Sequence, residues 1–136
     1  MTRLFVLIAS FFIALSGCNS AKTHPVNGTV KFKDGADGSA LVGYTVDFES
    51  LEQKVSGSGE VQSDGTFRIS TYGDNDGAVP GKHRISITPP IPADPDALPP
   101  KPLIPPKYGG LDTSGLEVEI KRGPNDVTLE LERSGR

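Results

Sequence analysis

Nucleophilic attack, proton transfer and metal capture each need particular side chains close together, and this sequence holds few of them. Its histidines are His24 and His83, and its one cysteine is Cys18, at the end of the string LSGC. A single thiol cannot make an internal disulfide. No serine sits in a G-x-S-x-G elbow, so no nucleophile, base and orienting group come together, and His83 reads as a packing or surface histidine. Hard oxygen donors occur as Asp74-Asn75-Asp76 between Gly73 and Gly77, with Asp34 and Asp37 as a second pair. Such loops suit calcium, but the twelve-residue spacing ending in Glu is missing, and ordinary turns use the same residues. Asp74 and Asp76 therefore stay as the one calcium candidate, and neither a metal nor a cofactor is expected. An isopeptide bond between Lys31 and Asn125 would need both buried; Lys31 points outward by alternation and Asn125 falls in a turn. Exposed aromatics can stack on sugars, and Tyr72 and Tyr108 lie beside long loops, whereas Tyr44 points inward with its strand neighbours.

The elements that must position these residues are strands. Apolar residues alternate with polar ones, the period of a half-buried strand. Val26, Val30 and Phe32 share one face, as do Val42, Tyr44, Val46 and Phe48. A short GEVQ stretch leads into the turn pair Asp64-Gly65, after which Phe67 and Ile69 point inward. Ile85 and Ile87 follow, then Leu116, Val118 and Ile120, then Val127, Leu129 and Leu131, with Gly123-Pro124-Asn125 as turn chemistry between the last two sets. No window carries a 3.6-residue period. Sixteen Gly, twelve Pro and no Trp fit a turn-rich β domain. The expectation is all-β: an antiparallel, seven-stranded, Greek-key-type sandwich over residues 25–133. Seventeen acidic against fourteen basic residues give a net charge of −3, which offers nothing to nucleic acid.

One stretch breaks the alternation. Nine of the eighteen residues 89–106, PPIPADPDALPPKPLIPP, are proline. Proline fixes φ and cannot donate to a ladder, so this is an extended loop rather than a strand. It reads as a stiff strap crossing from one sheet to the other, as a rim of a binding site, or as a ligand for a polyproline-reading partner.

The N-terminus has a different character. Arg3 precedes LFVLIASFFIAL, an apolar run over residues 4–15, and small residues follow. A bilayer core takes ~20 helical residues, so the run is short for a span and has the plan of an export signal. Leu15-Ser16-Gly17-Cys18 resembles the lipobox of bacterial lipoproteins. That resemblance implies a signal peptide at 1–17, diacylglyceryl attachment at Cys18 and a lipidated tether at 18–24. It places the domain outside the cytoplasm, anchored to the outer or the cytoplasmic membrane.

The run 63–87, SDGTFRISTYGDNDGAVPGKHRISI, resembles the carboxypeptidase regulatory-like domain of the transthyretin-like β-sandwiches. Asp64-Gly65-Thr66-Phe67 and Pro80-Gly81-Lys82-His83 occupy its two turn motifs, with His83 where an aromatic is usual. HPVNGTVKFKDG, the stretch Gly43 to Phe48 and the Gly123–Asn125 hairpin extend the likeness. These motifs are turn and core positions, so they imply a fold and no chemistry. Hydroxyisourate hydrolases of the same superfamily end in Tyr-Arg-Gly-Ser; this chain ends Glu132-Arg133-Ser134-Gly135-Arg136, without the tyrosine. The expected function is thus a non-enzymatic, lipid-anchored envelope module contacting a protein through loop 72–79 and the strap with Tyr108. The alternatives are a polysaccharide-binding module using Tyr72 and Tyr108 and, after it, a transthyretin-like hydrolase.

Overall fold

The computed structural model describes residues 22–135. Cys18 and the apolar run before it lie outside the described residues. The alternation produces seven strands in chain order: β1 (Val26–Phe32), β2 (Thr45–Ser50), β3 (Ser56–Glu60), β4 (Thr66–Arg68), β5 (Gly81–Thr88), β6 (Leu116–Ile120) and β7 (Asn125–Leu131). They form two sheets, β4-β1-β7 and β3-β2-β5-β6, whose inner faces enclose one core. Phe48 meets Phe67 edge-on at 6.1 Å between ring centroids, and His83 lies tilted on Phe48 at 5.9 Å. Burying each phenylalanine ring stabilises the fold by ~1.5–3 kcal/mol.

Four expectations change. The sandwich is not wholly antiparallel, because β7 runs parallel to β1 from Val26↔Asn125 to Phe32↔Leu131. The cause is the turn at Gly123, which does not join a hairpin. It carries the chain from β6 into the other sheet, so β7 starts at the same pole as β1. The proline segment does not change sheets either, since β5 and β6 are antiparallel neighbours. It loops out and returns to the sheet it left. Val42, counted among inward residues, is 52% exposed, and Leu41 fills the core from a 3₁₀ turn at Ser39–Leu41. Finally, His24 belongs to the domain and not to a tether: its N–H donates to the Ala78 carbonyl at 2.9 Å and its carbonyl accepts from Ala78 N–H at 3.0 Å.

Glycine does specific work at two places. Gly28 sits in the inward row of β1, where a β-carbon would overlap the Phe67 ring that fills the gap. In β3 the inward positions are Gly57 and Gly59, and a β-carbon at Gly59 would strike the Arg68 backbone. The two sheets therefore close on this flank, with Ser58 and Ser70 exchanging backbone hydrogen bonds of 2.9 and 3.0 Å.

Candidate functional site

The sandwich has two unlike poles. β1 and β7 begin at one, beside His24, the turn at Gly123 and the start of β5 at Gly81; Lys22, His24, Glu52, Pro80 and Arg122 line a cleft of about 670 Å³ there. β5 ends at the other pole, where the proline segment departs.

At the N-terminal pole, the loop after β4 is organised by Asp76. Its carboxylate accepts from Thr71 N–H at 2.7 Å and from Tyr72 N–H at 3.1 Å, and the Thr23 hydroxyl donates to it at 3.3 Å. Desolvation pushes this carboxyl up, but the N–H donors of Thr71, Tyr72 and Gly73 together hold it below the ordinary carboxylate value. Asp76 is thus a loop staple, and Asp74 is exposed. The second acidic pair is likewise committed to turns, Asp34 accepting from Ala36 N–H and Asp37 from Ser39 N–H, each at 2.9 Å. Among the described residues, no group of three or more His, Cys, Asp or Glu is gathered for a metal.

Both histidines bind backbone through Nδ1. His24 Nδ1 accepts from Gly123 N–H at 2.9 Å. His83 is buried and its Nδ1 lies 3.0 Å from the Gly81 carbonyl; burial pushes its pKa down, with the Gly81 bond opposing. Lys31 pairs with Glu130 at 3.8 Å in solvent. Asn125 is buried at the start of β7, its amide donating to the Lys121 and Gly123 carbonyls at 2.9 Å each.

The two tyrosines proposed as a joint surface are separated. Tyr72 is 59% exposed on the Asp76 loop. Tyr108 is 2% exposed, its ring in the core and its hydroxyl accepting from Glu132 N–H at 3.0 Å. It cannot be a stacking platform. Tyr72 belongs to the N-terminal pole and Tyr108 to the strap pole, so no single surface joins them.

Tyr108 instead anchors what projects beyond it. The strap leaves β5 at Thr88, and Asp94 reverses it: its carboxylate accepts from Asp96 N–H at 3.0 Å and its carbonyl from Ala97 N–H at 3.1 Å. Pro89–Pro92 and Pro99–Pro102 thereby line opposite sides of an apolar groove of about 480 Å³. At the base, Ile104 and Tyr108 are buried and Ser134 N–H donates to the Leu103 carbonyl at 2.9 Å. Lys107 and Lys33 bind Glu132 at 2.7 and 3.0 Å, and their hydrogen bonds and charge pull its pKa to about 2. On this braced arm, Ile91 and Leu98 are 92% and 91% exposed. The approach of Pro90 to Gly43 brings exposed Val42 near the base of the arm.

No family model, curated protein or solved structure matches the chain. The arm's own chemistry therefore carries the functional reading. Composition hid Ile91 and Leu98 among the prolines; the signal that could have found them is isolated large aliphatics in a segment with no strand or helix period. Among the described residues, no helix is long and apolar enough to cross a membrane.

Proposed function

We propose that this protein is a non-enzymatic binding module, held outside the cytoplasm by a lipid on Cys18, whose proline arm contacts an envelope protein. The observation that carries the reading is the near-complete exposure of Ile91 and Leu98 on an arm braced at its base. Ile91 lines the apolar groove together with the prolines, and a contiguous exposed apolar surface, unlike a single aliphatic, marks a contact site that gains free energy when covered. Proline also restricts the arm before binding, so less conformational entropy is lost on contact. The LSGC string and the preceding apolar run support the anchor. A Greek-key-type, transthyretin-like sandwich is part of the same proposal. It is supported by the turns at Gly65 (φ 80°) and Gly81 (φ 116°), which lie in the resembling motifs. Burial of Tyr108 removes half of the polysaccharide platform.

The test is site-specific photocrosslinking in intact cells with the reactive group at Leu98. A discrete adduct that disappears when Ile91 is changed to Asp supports the reading. No adduct, or one indifferent to Ile91→Asp, overturns it.

A further inference from the structure

The two sheets are unequal, four strands against three, and the mismatch falls on one flank. On the other flank β3 and β4 close on each other through Ser58 and Ser70. At the open flank the edges are β6 and β7. Asn125 N–H donates to Pro25 and the Leu131 carbonyl accepts from Lys33 N–H, so the odd-numbered positions of β7 serve β1. By strand alternation the backbone groups of Asp126, Thr128 and Glu130 face away from β1. The next even position confirms the direction, since Glu132 N–H goes outward to the Tyr108 hydroxyl. Among the described residues, the N–H groups of Asp126, Thr128 and Glu130 have no backbone partner. A second observation lies in the opposite sheet. Leu116 and Val118, on the inward row of β6, are only partly buried, while Ile120 on the same row is buried. What would cover them is a fourth strand beside β7.

We infer that the free edge of β7 is a strand-acceptor site for an extended segment of another protein that alternates basic with apolar residues. Added beside β7, such a segment takes the three unpaired N–H groups and turns its apolar side chains toward Leu116 and Val118. Its other side chains stand on the outer face opposite Asp126, Thr128 and Glu130, which selects Lys or Arg across from Asp126 and, shared with Lys31 at 3.8 Å, from Glu130. The same charges act against a second copy of this chain. Two β7 strands paired antiparallel about Thr128 would set Asp126 opposite Glu130 twice, and like charges directly opposite destabilise a sheet.

The probe is an acetylated, amidated peptide of sequence KVTVKV, titrated into the protein while amide exchange is followed by NMR. Slowed exchange at Asp126, Thr128 and Glu130, with about tenfold weaker binding to D126K/E130K, is the expected result. Thr128→Pro is the structural control: its N–H is not used by β1, so the fold persists while strand addition is blocked. Absence of binding at millimolar peptide, binding that leaves those three amides unprotected, or unimpaired binding to folded Thr128→Pro would overturn the inference. So would sedimentation as a dimer with the same amides protected and no peptide present, which would make a second copy the occupant.

Discussion

Tyr108 shows how one side chain can be mistaken for its opposite. Its position after a proline run and before Gly109-Gly110 reads as an exposed loop aromatic, yet it is buried and bound to the Glu132 backbone. Nothing in the local sequence could reveal this, because the contact spans from the strap to the end of β7. Tyr108→Phe is expected to lower stability by about 1 kcal/mol, since the part-buried Glu132 N–H loses its acceptor, whereas Tyr72→Ala should leave it almost unchanged. Urea denaturation of both variants against the parent checks this. His83 supplies a pH-dependent counterpart. Burial holds its folded pKa below the ordinary histidine value of 6.5, so the unfolded chain binds its proton first as pH falls. Its contribution is therefore fully present above pH 6.5 and declines below it, by at most about 1.4 kcal/mol per pH unit, until the folded pKa is reached. The depressed carboxylates act in a lower window. Asp76, held below the ordinary aspartate value of 3.8, loses its contribution only as pH falls from there. His83→Phe should flatten the stability profile between pH 7 and 5 and leave the acid limb intact, as measured by denaturation at each pH.

Among the elements, legibility followed the side chains that alternation can display. β7 shows its pattern because Val127, Leu129 and Leu131 are large and the residues between them polar, and the structure places all three in the core. β3 is legible only as the short GEVQ stretch and starts earlier, at Ser56, because Gly57 and Gly59 hold its inward positions, where other atoms pass too close for a side chain. The parallel pairing of β1 with β7 was beyond reach for a different reason. A Gly-Pro-Asn turn reverses a chain equally well within a sheet or between two sheets. For the candidate site, the proline segment was legible as an irregular loop, but its division into a buried base and an exposed tip was not. That division makes a prediction. Replacing residues 90–101 by a short Gly-Ser linker should change stability by less than about 1 kcal/mol, because the segment buries little. Ile104→Ala at the base should cost about 2–5 kcal/mol through the cavity it leaves. Thermal melts distinguish the two, and comparable losses would mean the arm is part of the core's support.

The molecule as a whole is polar end to end in a way that bears on how it would stand on a membrane. Lys22, Thr23 and His24 enter at one pole, and Thr23 and His24 are fixed there by Asp76 and Ala78. The arm leaves from the other, separated by the length of strands such as the seven-residue β1 and β7. At ~3.3 Å per residue such a strand measures about 23 Å. From Cys18 to Lys22 the chain reaches about 15 Å when fully extended. If Cys18 carries the lipid, that reach is too short to let the domain invert and stand arm-first on the bilayer, and it favours the upright placement. The exposed Ile91 and Leu98 would then face away from the lipid and toward a protein. Energy transfer tests this orientation. Full-length lipidated protein on vesicles, labelled through Asp74→Cys or Leu98→Cys, should transfer more efficiently to a headgroup acceptor from position 74 than from position 98. Both signals should vanish with Cys18→Ser, which would leave the protein in solution. Equal or reversed efficiencies would place the arm at the membrane, and its aliphatic side chains would then be lipid contacts instead of a protein-binding tip.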